Sequence, residues 1–185
     1  MITVHQETFV GMHGDEIALL RDYLSGFHGV GVEIGCLDGF STAHLLECGQ
    51  LHLTSIDPFI PDSMSPSLVG NRERFLANIA PWKNRHTLIE DYSWNVAPKW
   101  NTPLDFLFID GDHHYEAVLR DYNDWTPHLK LHGLLAVHDS RMHRPGGPNF
   151  HEGPSRLVDE LVYRDDAHRW QIEGEAFSLT LARKI

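Results

Sequence analysis

The chain is 185 residues long, 42% hydrophobic and 10% aromatic, with 15 Lys+Arg against 26 Asp+Glu and a formal net charge of −11. A chain of this size reads as one domain, 1–185, that buries roughly 70% of its unfolded surface without a disulfide or structural metal. The acidic balance argues against nucleic acid or an anionic membrane as partner, because both need clustered Lys/Arg; no run of about 18 apolar residues offers a span, and no secretory leader is expected at Met1 to Asp15.

Two cysteines, Cys36 and Cys48, fit a reduced, cytoplasmic protein. The oddity is a count of 14 histidines, which raises the question of a metal.

In chain order, residues 1–14 form an irregular arm, and Ile17, Leu20 and Leu24 recur at helical spacing between a capping Asp15 and Gly26. Arm and helix make up 1–28, and the core follows from 29 to 185. Residues 29–34 (GVGVEI) are a β-branched strand, followed by a glycine turn and a helix opening at Ser41. A strand at 51–57, a helix at 71–80 stopped by Pro81, and a strand at 86–90 come next. Residues 104–110 (LDFLFID) are almost continuously apolar, as expected of a parallel strand covered on both faces at the sheet centre. Tyr115, Val118, Tyr122, Trp125 and Leu129 mark a helix, and 134–139 (LLAVHD) another buried strand. Beyond the Gly/Pro-rich segment 141–154, a helix from Ser155 leads to an antiparallel hairpin, 168–173 with 176–182, turning around Gly174. Alternating strands and helices imply an α/β, doubly wound, Rossmann-like parallel sheet with helices on both faces.

Chemistry concentrates in three segments. In VEIGCLDGFSTA, residues 32–43, Gly35 and Gly39 allow close backbone approach, and Ser41 opens a helix whose N–H groups face the crevice beyond the strand ends. Asp57 ends the next strand 22 residues after Gly35, the spacing at which an acid accepts ribose hydroxyls. Glu33 and Asp38 flank the turn with negative charge, which suits a ligand with a cationic amino-acid end, such as S-adenosylmethionine, better than a pyrophosphate. The bland alternative is a tight turn with incidental acids.

In DFLFIDGDHHYEAVLRDYNDW, residues 105–125, Asp110 ends the central strand, and Asp112 and His113 enter the site before the helix; Asp112 could equally cap that helix. In GLLAVHDS, residues 133–140, His138 and Asp139 end the adjacent strand, which brings Asp110 and Asp139 within a few ångströms. Two carboxylates so close need a cation or hydrogen bonds between them.

Three rival classes share parts of this pattern. An NAD-linked oxidoreductase needs the glycine turn and the later acid, but G-x-G-x-x-G is missing and the chain leaves no room for a separate substrate domain. A metalloenzyme built on His113, His114, His138 and His143 lacks an H-x-H-x-D-H or H-E-x-x-H spacing. A non-catalytic nucleoside-binding domain would show the same first segment. Histidines such as His5, His44, His52, His86 and His168 fall on arms, helices or strands without a partner motif and read as structural.

Together the three segments resemble class I S-adenosylmethionine-dependent methyltransferases, in the small-molecule O-methyltransferase branch that contains the catechol, caffeoyl-CoA and macrolide-sugar enzymes. The likeness runs over roughly residues 14–140 and is carried by VEIGCLDGFSTA, IDGDHHYEAVLRD and GLLAVHDS. It implies a seven-stranded sheet with an antiparallel last strand. It also implies Glu33, Gly35 and Ser41 near the methionine end of the cofactor, Asp57 on the ribose, Tyr92 or Ser93 beside the adenine, and Asp110 and His113 at the junction with substrate. Magnesium or another divalent ion would sit on Asp110 and Asp139, although Ser140 stands where the metal-dependent members carry a further acid or Asn. The expected reaction is in-line methyl transfer to an oxygen of a small-molecule acceptor, with Asp112 or His113 as base. Segments 58–70 and 141–154 would select the acceptor, and a homo-oligomer is compatible with the sequence.

Overall fold

The computed structural model describes residues 11–61, 63, 66–141, 151–164 and 168–185. Expectations for the arm before Gly11, and for most of the segment 141–154 including His143, lie outside the described residues.

The strands are β1 (His28–Ile34), β2 (Gln50–Ile56), β3 (His86–Ile89), β4 (Leu104–Ile109), β5 (Leu129–Val137), β6 (Trp170–Ala176) and β7 (Leu179–Lys184). They form one sheet in the order β3-β2-β1-β4-β5-β7-β6. β7 pairs antiparallel with both β5 and β6, and the other neighbours pair parallel. The expected doubly wound, seven-stranded architecture is therefore present.

Strand periodicity decides which helices cover which face. On β4, Phe106 and Phe108 join the cluster under α1 (Gly14–Leu24) and α2 (Phe40–Cys48), while Leu107 and Ile109 join the one under α5 (Tyr115–Trp125) and α6 (Glu152–Val158). All four side chains are at most 1% exposed, which is why this strand reads as continuously apolar. The remaining helices, α3 (Arg72–Ile79) and α4 (Ser93–Val96), follow β2 and β3.

Register then places the functional end. Ile34 pairs with Ile56 and with Ile109, and Ile109 pairs with Val137. The next residue of each strand donates its N–H to a neighbour, Gly35 to Ile56, Asp57 to Ile89, Asp110 to Ile34 and His138 to Ile109. These ladder bonds fix Gly35, Asp57, Asp110 and His138 in one row. Strand order reverses between β1 and β4, so the row spans the switch point where ligands bind in such sheets.

Four expectations are corrected. His13, not Asp15, caps α1, through a box in which its imidazole accepts the Asp15 N–H and Glu16 accepts the His13 N–H. The helix from Tyr115 ends at Trp125, and Leu129 begins β5, whose exposed Lys130, Leu131 and His132 hide the strand pattern. α6 starts at Glu152, with Pro154 in its first turn, where a missing N–H costs nothing. The hairpin turns at Phe177 and Ser178; Gly174 lies inside β6 at a register shift.

Candidate active site

A cavity of about 510 Å³ runs along the row of strand ends, from Tyr92 and Ser93 past Asp57 and Ser41 to Asp110, His113 and Asp139. Of the residues expected there, Gly35, Ser41, Asp57, Tyr92, Ser93, Asp110, Asp112, His113 and Asp139 all line it. Glu33 and Gly39 do not. Gly39 has φ +81 and starts α2, with Phe75 of α3 against it.

Glu33 is completely buried beneath the turn. Its carboxylate accepts hydrogen bonds from Ser41 (2.6 Å), Thr42 (2.6 Å) and Ser55 (2.5 Å), and burial pushes its pKa up to about 7. Glu33 therefore acts on the cavity only through Ser41. His86 donates to or accepts from Ser55 on the far side of the cluster, and burial pulls its pKa down to about 4, so it is neutral and structural as expected. Asp38 is also committed, to Arg74 at 2.5 Å and to the Asn71 N–H at 2.7 Å. Glu33 thus faces away from the cavity and Asp38, although it borders the cavity, has its carboxylate tied to Arg74 and Asn71, while Asp57, Asp110 and Asp139 bring further acids to the crevice.

The turn itself depends on contacts that exclude a side chain. Gly35 has φ +80, and a Cβ there would lie 2.1 Å from the Asp110 carbonyl oxygen, so β1 and β4 approach as closely as they do only with glycine at this position. Asp57 secures the same turn. One carboxylate oxygen accepts the N–H groups of Cys36 (2.8 Å) and Leu37 (2.9 Å), and the other accepts the Phe59 N–H (2.7 Å).

At the β3 end, the half-exposed Tyr92 stacks on Trp94 with ring centroids 4.4 Å apart. Ser93 is buried and donates a short hydrogen bond to Asp121 of α5. Burial raises the pKa of Asp121 to about 7, and it lines the cavity, although nothing in its helical position marked it.

At the β5 end, acids and imidazoles alternate. His138 is buried with Nδ1 3.1 Å from Asp110 and Nε2 3.3 Å from Glu16, a residue of α1 that is itself 0% exposed. Burial would lower the pKa of His138, but Asp110, Asp139 and Glu16 hold it well above the usual imidazole range, so both ring nitrogens carry protons. Glu16 also accepts the N–H and the hydroxyl of Ser178. Burial acts to raise Asp139, yet hydrogen bonds from His113 and His138 keep it well below the usual carboxylate range. The Asp110 and Asp139 oxygens come within 4.8 Å of each other, as expected, and an imidazole bridges them.

That arrangement bears on the expected magnesium set. Ser140 turns its hydroxyl inward, to the Val137 and Ser178 carbonyls and to Thr180, so it offers the cavity no ligand. Asp110 Oδ1 faces His138 Nδ1 at 3.1 Å, so the donors gathered around Asp110 and Asp139 are mixed oxygen and nitrogen rather than oxygen alone.

Asp112 is not the cap of α5; that position is His114, while the Asp112 carboxylate accepts the His114 N–H (2.8 Å) and the Ser63 hydroxyl (2.5 Å). Burial works to raise its pKa, but these bonds hold it below the usual range, which makes Asp112 a weak proton acceptor. His113 lies 3.3 Å from Asp139 and stacks on His151 with centroids 3.8 Å apart. The segment 58–70 does reach the cavity, through Pro58, Ile60, Pro61 and Leu68, and Met12 and Phe177 line it as well. Sequence reasoning missed Glu16, Asp121 and His151; for His151 the only signal was that its segment follows a strand end.

No helix among the described residues is long and apolar enough to cross a membrane. Residues 32–140 match the family described as methyltransferase domain. A curated relative, an uncharacterized protein of Acanthamoeba polyphaga mimivirus, is 29% identical over 117 residues, covering 61% of this chain and 52% of that protein, so the chain spans about half the length of the relative it matches. Among solved structures, a candidate caffeoyl-CoA O-methyltransferase of Staphylococcus aureus superposes with TM-score 0.68 at 16% identity, over 95% of this chain and 86% of that one. An O-methyltransferase of Bacillus cereus in complex with SAH gives TM-score 0.65 at 13% identity, over 95% and 83%. At these identities the likeness is one of fold.

Proposed function

Since the chain belongs to the methyltransferase-domain family, whose pattern runs through residues 32–140, we propose that it transfers a methyl group from S-adenosylmethionine to a hydroxyl of a small molecule. The observation that carries this reading is the cavity itself, which joins a nucleoside-type wall at Asp57, Tyr92 and Ser93 to an ionisable wall at Asp110, His113 and Asp139. When bound, S-adenosylmethionine supplies an electrophilic methyl on a cationic sulfur.

The chain's own groups do the rest. Asp57 keeps lone pairs beyond its three backbone bonds and accepts the ribose hydroxyls. Gly35 and Ser41 border the methionine end, Tyr92 and Ser93 the adenine, and Asp110 sets negative charge beside the cationic centre. Holding oxygen, carbon and sulfur in line supplies roughly 7–11 kcal/mol of the barrier, so positioning is most of the catalysis. The acceptor's proton passes to Nδ1 of His113, because Nε2 carries the ring's own proton toward the ionised Asp139 at 3.3 Å. Asp112, tied down by Ser63 and His114, orients the turn rather than taking the proton. Met12, Ile60 and Phe177 border the acceptor side and suit a partly apolar small molecule. The acidic chain supports a small acceptor over a nucleic acid, and Cys36 and Cys48, both free, support the cytoplasmic reading.

Thermal unfolding with S-adenosylhomocysteine or NADH tests the cofactor: at 100 times its Kd the former adds about 2.7 kcal/mol. Labelled S-adenosylmethionine with a panel of phenols, sugars and natural-product aglycones, with and without magnesium, tests the reaction. Stabilisation by NADH alone overturns the proposal, and binding without transfer to any acceptor reduces it to a nucleoside-binding domain.

A further inference from the structure

The wall around Asp139 is rich in nitrogen. His113 Nε2 and His151 Nε2 lie 3.3 and 3.6 Å from the same oxygen, Asp139 Oδ2, and one ligand atom from each of the three residues falls within 4.8 Å of the others. Ligands placed tetrahedrally about 2.0–2.1 Å from zinc stand roughly 3.3 Å from one another, which is close to both measured edges.

His138 is excluded from this set, although it is near. Its two ring nitrogens are directed to Asp110 at 3.1 Å and to Glu16 at 3.3 Å, so it belongs to a separate group with Asp110.

The fold fixes the three donors from separate elements. Asp139 stands just past β5 with φ +51, an unusual conformation for a residue with a side chain. His113 lies in the turn after β4. His151 precedes α6, whose Gly153 packs onto that turn so tightly that a Cβ would sit 2.2 Å from the His113 carbonyl oxygen. Glycine at 153 is thus what brings His151 beside His113; their rings stack with planes 19° apart, and an ion shared by both Nε2 atoms requires one ring to turn out of the stack. The three side chains all line the cavity and are 13–21% exposed, while the His113 nitrogens themselves are buried.

We infer that Asp139, His113 and His151 form a site for a first-row transition ion of the zinc type, at a strand end where Ser140 turns its hydroxyl inward and supplies no further oxygen ligand. Two imidazoles and one carboxylate are a donor set that zinc and its neighbours accept and that magnesium, which prefers oxygen, does not. Three protein ligands leave one tetrahedral position for an oxygen ligand such as an acceptor hydroxyl. Loaded, the site makes His113 a ligand rather than a proton acceptor, and the ion would then favour the ionised acceptor. The inference stands on these residues alone and does not rest on methyl transfer.

The test is a titration of the metal-stripped full chain with Co2+, followed by visible absorption, with S-adenosylhomocysteine binding measured on the same samples. The expected result is one equivalent of cobalt with the strong bands of a four-coordinate ion, displaced by Zn2+ and not by millimolar Mg2+. His151→Ala should weaken cobalt binding by at least about 100-fold, more than the loss of a ligand's supporting partner costs, while cofactor binding persists and shows the variant to be folded. A weak six-coordinate spectrum, displacement by Mg2+, or unchanged affinity in His151→Ala overturns the inference. Cofactor binding without cobalt binding refutes the metal site alone, and cobalt binding without cofactor binding refutes the methyl-transfer reading alone.

Discussion

Glu33 on β1 and Asp139 past β5 are acids at the same end of the sheet, the first fully buried and the second 14% exposed at the cavity, and the chain surrounds them with different partners. Glu33 receives three hydroxyls, groups that stay neutral, and its pKa rises to about 7. Asp139 receives imidazoles, which can take the balancing charge, and it stays ionised. Hydroxyls satisfy a carboxylate permanently, whereas imidazoles can exchange a proton or a ligand at neutral pH. The β1 side is therefore built to hold the shape of the cavity wall, and the β5 side carries the groups that the proposed chemistry uses.

The sharpest way to break this contrast is by truncation. Glu33→Ala leaves three buried hydroxyls without their acceptor and opens a hole beneath α2, and it should cost about 4 kcal/mol in urea denaturation. A loss near zero would mean that the hydroxyls find water and that the cluster supports nothing. The next effect depends on pH. Glu33 binds its proton more tightly folded, at about 7, than unfolded, at 4.5, so its contribution is complete below the lower value and is lost as pH rises through the upper one. That difference is on the order of 3 kcal/mol. It is read as the stability of the wild type minus that of Glu33→Gln across this range, and a flat difference contradicts it.

On the β5 side the expectation inverts. His113→Ala removes a partly exposed ring, so its stability cost should stay under about 1 kcal/mol. Its turnover should nevertheless fall about 100-fold, the usual worth of a positioned proton acceptor, with little change in the KM for cofactor. Unfolding of this variant, or unchanged turnover, would erase the distinction between the two walls.

What the sequence revealed follows the same division. Strand periods and the acids that end them depend on local pattern, so the sheet, its order of elements and the row Asp57, Asp110, Asp139 were legible. Glu16 and His151 were not, because each reaches the site by packing across the fold, α1 onto the β7 turn and α6 onto the β4–α5 turn. The charge argument from Glu33 and Asp38 rested on residues that prove to be satisfied internally. Pattern counts acids near a turn, and it does not show that Ser41, Ser55 and Arg74 reach them first. The hairpin was misplaced for a related reason: a glycine marks any irregularity, and here it marks a bulge.

Asp57 lies between the two regimes and gives the smallest but most discriminating effect. Its carboxylate holds the glycine turn through Cys36, Leu37 and Phe59, and it is also the group expected on the ribose. In Asp57→Asn, the remaining oxygen can keep the Cys36 and Leu37 bonds, but the amide nitrogen then faces the Phe59 N–H and donates where a ribose hydroxyl needs an acceptor. One charged hydrogen bond lost in each role predicts a stability loss of about 1 kcal/mol and an affinity for S-adenosylhomocysteine weaker by about tenfold. Calorimetric titration and urea denaturation of the same variant separate the roles. If stability falls and affinity does not, Asp57 is only the clamp of the turn, and the wall that holds shape extends from Glu33 through the whole β2 end.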